Sequence, residues 1–119
     1  MIACSSGSYK ILTKRNVQTW GKFKVGDSPV EERYYGKGSP QTAEFNTIIA
    51  CLEYIKIRGM SGVVIWIGNE WTYTLVSGVM TVNRVSIVSP LLKRTIDLLG
   101  MVDARIELHK QSEIDEMLK

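Results

Sequence analysis

A chain of 119 residues is long enough for one domain and too short for two. With 45% hydrophobic and 23% charged residues it has the composition of a folded protein, which excludes disorder over most of its length. Fifteen Lys and Arg against twelve Asp and Glu give a formal charge of +3, which permits an acidic partner such as nucleic acid without requiring one. The two cysteines, Cys4 and Cys51, lie in apolar stretches and read as small buried side chains in a reducing, cytoplasmic setting. A single histidine, His109, argues against a His-rich metal site and against a catalytic triad. No apolar run approaches the ~20 residues needed to span a bilayer, and the first residues carry no signal-peptide core, so no membrane partner is expected.

Met1–Ser5 reads as an apolar strand. From Tyr9 to Lys24 the charges are Lys10, Lys14, Arg15, Lys22 and Lys24, with no acid among them. Within that stretch Trp20–Val25 alternates Trp20, Lys22 and Lys24 against Gly21, Phe23 and Val25, the pattern of a half-exposed strand. A turn at Gly26-Asp27-Ser28-Pro29 joins it to a partner strand, Glu31–Tyr35. A long helix follows over Pro40–Arg58. Ser39 can cap it, Pro40 suits its first position, and Gly59 suits the position past its end. Phe45, Ile48, Ile49, Leu52 and Ile55 make its apolar face. Val63–Ile67 is a continuous apolar run, expected as a strand buried on both faces. Trp71–Val82 is ambiguous, a short helix of poor formers. Ser89, Pro90 and Gly100 repeat the earlier punctuation and place a helix over Pro90–Leu99, with Leu92, Ile96 and Leu99 as its stripe. Ala104–Leu108 alternates again as a short strand. The acidic tail, with Glu107, Glu113, Asp115 and Glu116, ends in a short helix over Glu113–Lys119. The order β-β-β-α-β-(α)-α-β-α implies one α/β domain spanning residues 1–119, with helices on the faces of a mixed sheet.

Five local strings sit on that order. They are Ser6-Gly7-Ser8 after the first strand, Trp20-Gly21 opening the second, and Gln41-Thr42-Ala43-Glu44-Phe45 at the start of the long helix. Val63–Ile67 then runs into Gly68-Asn69, and Asp115 stands at the last helix. Together they resemble ribonuclease H over nearly the whole chain. The resemblance implies a five-stranded mixed sheet with Met1–Ser5 and Val63–Ile67 as neighbouring central strands and the Pro40–Arg58 helix on one face. Two departures stand out. The loop between Ser8 and Trp20 lacks the family's glycine-rich sequence, and the loop before Asp115 is short.

Ribonuclease H cleaves the RNA strand of RNA–DNA hybrids with two divalent metal ions held by four carboxylates. Two doubly charged ions against a phosphodiester need several anionic oxygens, because Mg²⁺ prefers hard ligands. The resemblance carries those four places to Ser6, Glu44, Asn69 and Asp115, so two carboxylates remain, and binding of Mg²⁺ or Mn²⁺ is expected to be weak. Glu70 is a substitute for the acid missing at Asn69, although strand alternation would point it to the other face. His109 stands near the family's mobile histidine, as an auxiliary residue. Each has a plainer reading. Glu44 is an acid in the first turn of a helix. Asp115 forms a capping-box-like pair with Ser112. Asn69 is a turn residue, His109 an inert surface residue, and the basic run a solvated face. Trp66 reads as core, while Trp20 and Trp71 read equally as core or stacking surface.

The leading expectation is a ribonuclease H-like protein that binds RNA–DNA hybrid or duplex through Lys10, Lys14, Arg15, Lys22, Lys24 and Trp20, with little or no cleavage. Two others stand beside it. One is an active metal-dependent endoribonuclease with a rearranged site. The other is an inert interaction module that uses the same fold on a protein partner.

Overall fold

Tyr9, Ile11, Val17 and Thr19 are aromatic or β-branched, and such residues favour paired, pleated backbone. In the computed structural model, which describes residues 1–78 and 88–119, they face each other as Tyr9↔Thr19 and Ile11↔Val17 in a long antiparallel hairpin. Its strands are β1 (Ile2–Thr13) and β2 (Asn16–Val25). Both are longer than the alternation predicts, and the expected loop from Ser8 to Trp20 is strand on both sides of a turn at Lys14 and Arg15. β3 (Glu31–Lys37) adds to β2 antiparallel, with an irregularity between Thr19 and Trp20.

α1 (Pro40–Ile57) begins as expected. The Ser39 hydroxyl accepts from the Thr42 amide at 3.2 Å, and the Thr42 hydroxyl accepts from the Ser39 amide at 2.8 Å. β4 (Val63–Ile67) lies parallel to β1 on one side and to β5 (Ala104–Leu108) on the other. The sheet order is β3-β2-β1-β4-β5, so β1 and β4 are the expected central neighbours. α2 (Glu70–Val76) falls in the ambiguous segment, whose remainder past residue 78 lies outside the described residues.

Helices cover both faces. α1 packs on β1 and β2 with Ile48, Leu52 and Ile55 against Ala3, Phe23, Val25, Ile65 and Ile67. α3 (Ser89–Met101) joins this layer through Leu98. On the opposite face α4 (Gln111–Met117) packs Ile114, with Leu118 beyond it, against Cys4 and Trp66. Burial of a large apolar side chain is worth about 1.5–3 kcal/mol, so these two layers hold the sheet from both sides.

Several local expectations are corrected. Val88, not Ser89, caps α3, and Gly100 lies inside the helix rather than past its end. Ile96 is 48% exposed, because the buried positions of α3 are Thr95 and Leu98. α4 starts at Gln111 with Lys110 as cap, so Ser112 caps nothing and its capping-box pairing with Asp115 is absent. Glu44 is the fifth residue of α1, beyond the first turn, where the helix dipole acts most strongly.

Candidate functional site

β1 and β4 pair only over Ile2–Cys4 and Val64–Trp66. Beyond Cys4, β1 continues with β2 alone while β4 continues with β5, so the sheet forks. Ser6 and Gly7 stand on one arm of the fork, Gly68 and Asn69 at the end of the other. Glycine decides how closely the helices approach. A Cβ on Gly7 would lie 2.5 Å from the Glu44 amide nitrogen and 2.6 Å from the Ala43 carbonyl carbon. Its cross-strand partner Gly21 would put one 1.7 Å from the Thr47 hydroxyl. This glycine pair forms the slot into which the start of α1 settles. A Cβ on Gly68 would lie 2.3 Å from Gln111 Oε1, so the end of β4 likewise admits the first residue of α4.

Glu44 is thereby lowered onto the fork. Its Oε1 accepts from the Gly7 amide at 3.1 Å, and its Oε2 is buried without a hydrogen-bond partner. Burial pushes its carboxyl up to about 7, against a smaller opposing effect of the Gly7 bond. Across the fork, Gln111 Nε2 donates to Ser6 Oγ at 3.1 Å and to Asp115 Oδ1 at 2.9 Å. Of the four places implied by the resemblance, Ser6 and Asp115 are therefore bridged by one amide, and Glu44 sits beside Ser6 through Gly7. Asn69 is turned away to cap α2, where its Oδ1 accepts from the Thr72 amide at 2.8 Å and the Thr72 hydroxyl at 2.9 Å.

This donor set does not fit a two-ion centre. A cation between Ser6 and Asp115 needs oxygens directed at it, and that space receives the N–H groups of Gln111. Glu44 is buried against the Gly7 amide, and Asn69 contributes no carboxylate. Among the described residues no group of three or more His, Cys, Asp or Glu side chains is arranged to hold a metal.

A second cluster lies at the β5 end. His109 stacks on Trp66 with centroids 3.7 Å apart and planes 12° from parallel. Its ring nitrogens each lie 3.1 Å from a carboxylate, Glu107 on one side and Glu113 on the other. Desolvation opposes charge on the imidazole, but the two carboxylates outweigh it and raise His109 above its ordinary value. The Arg105 hydrogen bond, then that of His109, hold Glu107 below the usual range. Glu70 is exposed as the first residue of α2, so strand alternation does not set its direction. It lines a cavity of about 460 Å³ with Gly68, His109, Gln111 and Glu113.

The basic residues separate into two places. Lys14 and Arg15 occupy the exposed hairpin turn. Lys10, Lys22, Lys24 and Trp20 lie on the face of the meander that also carries Ser6, because Ser6↔Lys22, Ser8↔Trp20 and Cys4↔Lys24 are cross-strand partners. Lys22 lines a cavity of about 270 Å³ with Ser6, Ser8 and Asp115. Among the described residues none of these five cations is ion-paired. Trp66 is half-buried, and Trp71 meets Phe45 edge-on at 6.3 Å.

Sequence reasoning missed Gln111, since it sought carboxylates, and missed Tyr34, which packs beside Trp20. An aromatic residue in a predicted exposed strand was the available signal for the second.

No known family pattern and no curated protein matches the sequence. Solved structures do. LC11-RNase H1, isolated from compost by a metagenomic approach, matches with a TM-score of 0.80 and 14% identity over 99% of this chain and 97% of that one. The same protein in complex with RNA/DNA hybrid matches at 0.73 with 13% identity over 99% of both chains. RNase H1 from the halophilic archaeon Halobacterium salinarum NRC-1 matches at 0.74 with 17% identity over 96% of this chain and 88% of that one. The chain has the ribonuclease H-like fold.

Proposed function

We propose that this chain acts as a single ribonuclease H-like domain that binds RNA–DNA hybrid or duplex and cleaves it weakly or not at all. The observation that carries the second half is Gln111, whose amide joins Ser6 to Asp115 where cleavage chemistry asks for anionic oxygens. Binding needs no metal on this reading. It rests on the unpaired cations Lys10, Lys14, Arg15, Lys22 and Lys24 and on a fold shared with a protein solved in complex with RNA/DNA hybrid. Mg²⁺ or Mn²⁺ is at most a weak ligand of Glu44 and Asp115. His109, clamped by Glu107 and Glu113, has a positioning role at the β5 end. The buried free thiols of Cys4 and Cys51 favour a reducing, cytoplasmic setting. Among the described residues no helix is long and apolar enough to cross a membrane.

The test is binding of a blunt hybrid over a salt series. Affinity falls with salt at a slope of about −0.9 per neutralised phosphate of duplex, and replacing Lys10, Lys14 and Arg15 by Ala makes the slope shallower. Absence of binding at low salt would remove the reading. One observation favours a second reading, an active endoribonuclease with a rearranged site: Glu44 Oε2 is buried without a partner. Hydrolysis of hybrid in Mn²⁺ that Glu44→Gln abolishes would establish that alternative.

A further inference from the structure

α4 packs on β1 and β4, so the same face of the sheet is left open over β2 and β3. The register fixes what this open face carries. Trp20 opposes Tyr34, Lys22 opposes Glu32, and Gln18 opposes both Lys10 and Lys37. The irregularity between Thr19 and Trp20 restores the parity that brings Lys37 to this side, while Tyr35 turns to the α1 side and donates to the Thr47 hydroxyl at 3.1 Å.

The centre of the face is aromatic. The rings of Trp20 and Tyr34 lie 6.0 Å apart and 59° from parallel, and the Tyr34 hydroxyl donates to Gln18 Oε1. Tyr34 is nevertheless 64% exposed, far more than a ring placed for packing alone. Along the strands Lys22 and then Lys24 lie to one side of the pair, and Lys10 and Lys37, both beside Gln18, to the other, with Glu32 as the one acid on these strands facing the same way.

We propose that the Trp20–Tyr34 platform, with Lys10, Lys22 and Lys37, binds an unpaired nucleic-acid strand that continues from a bound duplex. The proposal rests on the nucleic-acid-binding reading above and names the part of the ligand this face takes. The reason is chemical. A duplex presents phosphates and groove edges and keeps its base faces in its own stack, so exposed aromatic rings gain little from it. An unpaired base has a free π-face for a ring, while its phosphates meet the surrounding lysines. Lysines flank the aromatic pair along the strands, which is the charge arrangement a single strand of phosphates and bases complements.

The experiment uses the whole chain and two fluorescent ligands. One is a blunt RNA–DNA hybrid of about 12 base pairs, the other the same hybrid with an unpaired tail of about eight nucleotides. The tail is expected to raise affinity. Tyr34→Ala removes that gain, a loss of about 5- to 150-fold for one stacked base, and leaves affinity for the blunt hybrid unchanged. Tyr34→Phe keeps the ring and keeps the gain. A tail that adds nothing, or a gain that survives Tyr34→Ala, would overturn the proposal. Binding of the tailed ligand with none of the blunt one would sink the hybrid reading and, if Tyr34→Ala abolishes it, keep the platform as a site for an unpaired strand alone. If neither ligand binds, both readings fall.

Discussion

Glu44 and Gln111 set the character of the fork. A carboxyl pushed up to about 7 in the folded chain, against 4.5 ordinarily, takes up a proton on folding between those values. Stability from this group is therefore greatest at low pH, falls as pH rises through that window, and is level above it. The full difference is on the order of 3 kcal/mol. Glu44→Gln keeps an acceptor for the Gly7 amide and removes the titration. The variant is expected to melt higher than the parent at about pH 8, with the advantage vanishing toward about pH 4, as read by thermal unfolding across pH. His109, whose folded value is also raised, adds a fall in the same direction to both proteins, so the difference between the two profiles isolates Glu44. Parallel profiles would contradict the account. The position of Glu44 was legible in the sequence because Ala-Glu at a helix start is a local string. Its raised carboxyl was not, because the burial behind it depends on a glycine 37 residues away in sequence that lets the helix close over the strand.

The elements show what local patterning can and cannot supply. The α1 cap, the alternation of Trp20–Val25 and the strand Val63–Ile67 are statements about neighbouring residues, and the structure bears them out, although Val64 and Trp66 on one face of that strand are only half-buried. The extended hairpin was missed because its strands carry charges on one side, which resembles a loop until the opposing register is known. The caps assigned to Ser89 and Ser112 failed because α3 takes Ser89, and α4 takes Gln111 and Ser112, inside the helix, one residue or more past the observed cap. Gly7→Ala drives a methyl into the backbone of Ala43 and Glu44, which no side-chain rotation relieves. A loss of about 1–3 kcal/mol in chemical denaturation is expected, with α1 lifted from the fork. A neutral substitution would show that the glycine slot does not set the approach of α1.

For the whole molecule, the order of elements sufficed for the sheet, because a meander followed by parallel crossovers leaves few arrangements. The chemistry was less legible, since four places can coincide with a family's ligand positions while their side chains turn elsewhere. Asn69 is the case in point. Aspartate also caps helices, so Asn69→Asp is expected to stay on Thr72. Restoring carboxylates at Ser6 and Asn69 alone should therefore do little. The triple change Ser6→Asp, Asn69→Asp, Gln111→Ala removes the bridging amide as well. Its melting temperature should fall without metal, through carboxylate repulsion, and rise with Mn²⁺ by more than the parent's does. An equal metal response in the triple variant and in the Ser6→Asp, Asn69→Asp double variant would mean that Gln111 does not govern this site.

On the proposed function, this ribonuclease H-like chain holds nucleic acid without the metal chemistry of cleavage. The most direct test is the binding isotherm of a blunt RNA–DNA hybrid labelled on its RNA strand, measured once in chelator and once in Mg²⁺, with the RNA recovered afterward. The same isotherm is expected in both, apart from ordinary salt screening, with intact RNA. Binding that appears only with Mg²⁺, accompanied by shortened RNA, would contradict it.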